Sequence, residues 1–152
     1  MKALQLLRRA GRVGWGDWPI ALSTVAIALA VEVGLRTRPL PRLARRLGVE
    51  LGSPDGPVAP GPLSLPPADR RRTLVALAVM RHWPFDEKCL RRSLVIGYRL
   101  RHHRPALVVG VAIAGGDVAA HAWLVVDGVR FDPGASGASA DAVFLPLGPV
   151  SR

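Results

Sequence analysis

The chain is poor in cysteine: among 152 residues there is one, Cys89. A lone cysteine closes no internal disulfide and suits a reducing, cytoplasmic setting. No Cys-x-x-Cys pair and no His-Glu-x-x-His pattern occurs, so neither a metal centre nor a cofactor is expected. Aromatic residues are also scarce, with four Trp, one Tyr and three Phe. Zinc-finger spacing, an aromatic RNA-binding motif and an evident helix-turn-helix are all missing, so nucleic acid is not the expected partner despite a net charge of +10. There is no long hydrophobic run either. The stretch Ile20–Val31 is apolar or small throughout, but Glu32 interrupts it before it could cross a bilayer.

What is present is arginine, and it is unevenly placed. Residues 1–105 carry every basic side chain except Arg130 and Arg152, while Asp117, Asp127, Asp132 and Asp141 leave the remainder slightly acidic. A basic surface of this kind attracts anionic lipid or an acidic peptide. Pro19 suits a first helical turn, and the apolar run after it reads as a helix that is buried or touches a membrane. A signal peptide, with Lys2, Arg8, Arg9 and Arg12 as its basic region, and a spanning helix are the rival readings. A second, basic amphipathic helix is expected over Leu40–Leu47, with its arginines facing solvent or lipid headgroups. Three units are expected: an N-terminal helical segment, 1–50, contacting membrane or partner; a Pro/Gly-rich linker, 51–67; and a compact domain, 68–152.

The compact part changes period midway. Helical spacing from Leu74 through Arg81 predicts a helix capped by Asp69 and stopped by Pro84. A second helix, about 87–101, is expected to start from Asp86, with Leu90, Leu94, Gly97 and Tyr98 on its apolar stripe. Then "ALVVGVAIA", 106–114, reads as a buried strand, and "VAAHAWLVVDGVRFDP" as a hairpin around a type I′ Asp127-Gly128 turn. A last short strand is expected around Val143–Leu145. The fold class is therefore α+β, with Cys89 at a helix start packed on an antiparallel sheet.

That position carries chemistry. In the first turn of a helix the free N–H groups and the dipole favour a thiolate, and Lys88, Arg91 and Arg92 add positive charge. Strand alternation puts His121, Trp123 and Val125 on one face. The hairpin register sets Val126 against Val129, Leu124 against Phe131 and Trp123 against Asp132. Asp132 then lies one diagonal step from His121 on the same face. A cysteine opening a helix, a histidine on a strand and an aspartate on the next strand can act as nucleophile, base and orienter. Cys89, His121 and Asp132 are thus the candidate catalytic residues. His82, His102 and His103 read as surface or helix-end residues, and Ser93, Tyr98 and Trp123 as packing.

The segment from Cys89 to Asp132, with "CLRRSL", "LVVGV", "AHAW" and "DG…FD", resembles the leader peptidases of lasso-peptide biosynthesis, the B proteins, which have a transglutaminase-like cysteine-protease domain. The resemblance implies Cys89 as nucleophile, His121 as base and Asp132 as its orienter. It implies a reaction that cuts a leader peptide from a ribosomally made precursor. The chain looks like the split form, without a leader-recognition domain. The implied partners are the precursor leader, a small leader-recognition protein and an asparagine-synthetase-like macrolactam synthetase. A transglutaminase-like amidase or acyl transferase, and a non-enzymatic basic adaptor at a membrane, are the competing expectations.

Overall fold

A computed structural model describes residues 14–52, 58–59, 63–85, 88–114, 117–133 and 145–146. Four α-helices fall within them: α1 (Trp18–Thr37), α2 (Leu40–Arg46), α3 (Pro67–Arg81) and α4 (Lys88–Arg99). Their starts follow from proline. Pro19, Pro41 and Pro67 each occupy one of the first two helical positions, where the missing N–H costs no bond.

The strands are β1 (Glu50–Leu51), β2 (Ala106–Ala114), β3 (Asp117–Val126), β4 (Val129–Phe131) and β5 (Leu145–Pro146). The order runs β1-β2-β3-β4; β1 pairs parallel with the start of β2, and β5 pairs antiparallel with Gly110 and Val111 further along it. The sheet is mixed and otherwise antiparallel, so the expected α+β class holds. The β3–β4 register is the expected one: Leu124 faces Phe131, and Val126 faces Val129. Asp127 and Gly128 have φ of 50° and 74°, both positive, as a type I′ turn requires.

One core joins all four helices to the sheet. Ala28 and Val31 of α1, Leu43 and Ala44 of α2, Met80 of α3, Leu94, Val95 and Ile96 of α4, and Leu107, Ala122, Leu124 and Val126 of the sheet form a single buried cluster. The packing thus runs across the Pro/Gly-rich stretch between α2 and α3. Within that stretch Ala59 bridges to Val129, and Leu63 and Leu65 pack on the core.

Polar bolts fix α1 against α4. Glu32, which interrupts the apolar run, is buried and takes a two-pronged contact from Arg91, at 2.6 and 3.3 Å, with Arg36 on the same carboxylate at 3.0 Å. These cations hold the Glu32 carboxyl below the usual glutamate range, the Arg91 hydrogen bond being the largest cause. Two helical turns along α4, Arg99 Nη2 donates to the Ile20 carbonyl and to the Ser23 and Thr24 hydroxyls.

Two sequence expectations are corrected by the packing. Asp69 is not a helix cap: α3 begins two residues earlier, at Pro67, with Pro66 in the cap position and no side-chain capping bond. It is buried and bound instead to histidines from beyond α4. Arg91, expected to add positive charge beside the thiol, is half of a partly buried ion pair. The proposed cap Asp86 lies outside the described residues, as do Val143 and the residue after it in the expected last strand; β5 begins at Leu145.

Candidate active site

Cys89 is the second residue of α4, in its first turn, half-buried against the main core. His121 and Asp132 come from β3 and the residue following β4. The side chains meet: His121 Nε2 lies 2.5 Å from Asp132 Oδ2, and both are largely buried, at 8% and 11% side-chain exposure. The pairing follows from the turn. A two-residue loop fixes Trp123 opposite Asp132 by continuation of the register, and pleating turns His121, Trp123 and Asp132 to one side. The neighbours agree. The His121 and Trp123 rings stack with centroids 6.2 Å apart, Arg130 lies over Trp123 at 4.5 Å, and Arg130 Nη2 is 3.7 Å from Asp132 Oδ2. Trp123 is buried with Ala106, Val108 and Val125 in a second apolar cluster, as packing was expected to have it.

The main-chain directions explain how α4 approaches. In a type I′ hairpin the residues flanking the turn bond to each other, so Val126 turns its N–H and C=O toward β4. Leu124 and Ala122 do the same by alternation. The β3–β4 pairing ends at Leu124–Phe131, so the Ala122 carbonyl points past the last paired residue of β4. Ser93 Oγ donates to it at 3.1 Å, and this bond is buried. At this level α4 therefore lies along the edge of β3. Gly97 lets α4 pack closely on Val49, which a Cβ would meet at 2.8 Å, with the Leu124 side chain in ordinary contact at 3.4 Å.

These contacts also set direction. Four residues of α4, Ser93 to Gly97, advance as far as two residues of β3, Ala122 to Leu124: about 6 Å and about 6.6 Å by helix and strand rise. Cys89 lies one helical turn before Ser93 and packs on the main core with Ala122 and Leu124.

Sequence reasoning missed a second constellation. His102 Nε2 and His103 Nε2 lie 2.9 and 3.2 Å from Asp69 Oδ2, and His103 Nδ1 lies 3.2 Å from Asp127 Oδ2 in the hairpin turn. His102 is half exposed, but His103 ties α3, the turn after α4 and the β3–β4 loop together. The hydrogen bond from His102, then that from His103, hold the Asp69 carboxyl below the usual aspartate range against its burial. The donor atoms of Asp69, His102 and His103 lie within 4.8 Å of one another, so they are the described residues that could hold a metal ion. In the structure they satisfy each other. Adjacent histidines after a helix gave the only sequence signal, and Asp69 was too distant in the chain to be linked to them. Two open surface hollows, of about 420 and 560 Å³, include none of Cys89, His121 or Asp132 in their walls.

No curated protein and no solved structure shows a significant match to the chain. Residues 24–144, from within α1 to just before β5, match the family described as the transglutaminase-like superfamily. Most of the chain is covered, including the helix that carries Cys89 and the hairpin that carries His121 and Asp132. The chain belongs to the transglutaminase-like superfamily.

Proposed function

We propose that this protein is a cysteine peptidase that removes the leader from a ribosomally made lasso-peptide precursor, with Cys89, His121 and Asp132 as its triad. The observation that carries the reading is the buried His121–Asp132 pair on β3, a strand to which Ser93 of the Cys89-bearing helix is hydrogen-bonded. Superfamily membership supports thiol-dependent acyl chemistry of the protease or acyl-transfer kind. The narrower substrate assignment rests on the resemblance of "CLRRSL", "AHAW" and "DG…FD" to the leader peptidases.

In this mechanism Asp132 binds the Nε2 edge of His121 and leaves Nδ1 as the base. His121 takes the Cys89 proton, and the thiolate adds to the scissile carbonyl. The backbone N–H of Cys89, in the first turn of α4, is placed to hold the oxyanion. The C–N bond breaks as His121 returns its proton to the leaving amine, which becomes the new N-terminus of the core peptide. His121 then deprotonates water, which attacks the thioester; the C–S bond breaks and the leader departs as a carboxylic acid. An amine in place of water would give acyl transfer from the same intermediate.

Recognition of the leader is assigned to a separate small protein, and ring closure to an asparagine-synthetase-like synthetase. The test is cleavage of the precursor by the purified chain with that recognition protein, followed by mass spectrometry. Wild type should release the intact leader. Cys89→Ala should release none, and His121→Ala should be slower by about 10²–10⁴-fold. Full activity in either variant, correctly folded, would refute the triad.

A further inference from the structure

The outer face of α1 has no role in the chemistry above. Trp18, Leu22, Val25, Leu29 and Val33 are all exposed, Leu22, Leu29 and Val33 at 63%, 51% and 58%. At 100° per residue the five fall within an arc of about 80°, and they run about 22 Å along the helix. The other exposed positions from 18 to 35 are Pro19, Ser23, Ala26 and Ala30, so this face carries no charge. Among the described residues only Leu51, Val58 and Leu74 are other exposed large hydrophobics. Contiguous apolar surface of this kind marks an interaction site.

Both ends of the stripe are basic. Beyond Val33 stand Arg36, Arg38, Arg42, Arg45 and Arg46, all exposed. At the other end Arg71 pairs with Asp17 at 2.6 Å, with Arg70 exposed beside it. The residues before α1 add Lys2, Arg8, Arg9 and Arg12 in sequence. An uncharged apolar face bordered at both ends by arginine, with a tryptophan near one end, is the pattern of a helix that lies in the plane of a membrane surface. By length and composition α1 could also span a bilayer. Its buried side argues against that: Thr24, Ala28, Val31 and Glu32 are buried against the domain, and Arg91 and Arg99 bond to it from α4. A helix held along one side by a folded domain can offer lipid only its other side.

We infer that the outer face of α1 docks the protein peripherally on an anionic lipid bilayer, apolar stripe in the acyl boundary and flanking arginines on the headgroups. This inference is independent of the peptidase reading, since neither needs the other. The test is co-sedimentation of the full chain with vesicles of phosphatidylcholine alone, or mixed with phosphatidylglycerol. The protein should pellet with the anionic vesicles, less so as salt is raised, and stay in solution with the neutral ones. The double variant Leu22→Ser/Leu29→Ser alters two exposed side chains and should keep the wild-type melting temperature while binding at least about tenfold more weakly. Arg42→Gln/Arg45→Gln should weaken binding and flatten its salt dependence. A wild-type protein that stays in solution with both vesicles would overturn the inference. So would a double variant that binds as wild type does, or a wild-type dimer in solution that the double variant splits.

Discussion

Two histidine–carboxylate constellations flank the same hairpin, and their surroundings differ. On one side His121 meets Asp132; on the other His103 bridges Asp127 of the turn and Asp69 of α3, with His102 on the same Asp69 oxygen. The His121–Asp132 contact is the shorter, at 2.5 Å against 2.9–3.2 Å, and Asp132 and Asp69 are both largely buried while Asp127 is exposed. What separates them is the next neighbour. His121 stacks on Trp123 in a strand whose Ala122 carbonyl is bonded by the helix that carries Cys89, whereas the Asp69 cluster joins three elements of the fold. A buried histidine–aspartate pair is therefore no signature of catalysis by itself. In the proposed mechanism the thiol carried by α4 makes the difference.

Neutralising each carboxylate in turn puts that comparison at risk. Asp132→Asn should lower cleavage by about 10²-fold or more, because the imidazole loses the partner that sets its tautomer, while the melting temperature changes little. Asp69→Asn should do the reverse: turnover per folded molecule stays near wild type and the melting temperature falls. Comparable losses of turnover in the two variants would erase the distinction.

Acid should expose the structural cluster at a smaller scale. The folded-state pKa of Asp69 is lowered below its ordinary value of 3.8, so the stabilisation it brings is complete above that value and is lost as pH falls through the lower folded one. Glu32 behaves alike below its ordinary 4.5. Thermal melts from pH 6 downward should show wild-type stability dropping on the acid side, with a shallower drop in Asp69→Asn and in Glu32→Gln. Parallel slopes for wild type and both variants would show that these pairs do not couple to folding.

The hairpin was legible in the sequence for a definite reason. Asp127-Gly128 favours a tight turn with positive φ, and once that is fixed the cross-strand partners follow, with Asp132 by continuation of the register. Helix existence was legible from spacing and proline. The Glu32–Arg91 bolt was not, because 59 residues separate its partners and Glu32 read as a break in an apolar run. Asp69 misled because an acid near a helix start looks like a cap, although the chain had entered the helix at Pro67. The two-residue β1 carries no periodicity of its own and exists because β2 offers an edge to it. Local chemistry was readable, and long-range pairing of charges was not.

Cys89 is the only thiol in the chain, so its reactivity can be followed without substrate, partner or background. The rate of alkylation by iodoacetamide, measured across pH in wild type, His121→Ala and Asp132→Asn, tests the central claim most directly. A His121 that withdraws the Cys89 proton predicts rapid alkylation persisting to mildly acidic pH in wild type, slowed by about tenfold or more in His121→Ala, with Asp132→Asn between them. Superimposable profiles for all three proteins would show that Cys89 and His121 do not act together, and would contradict the triad.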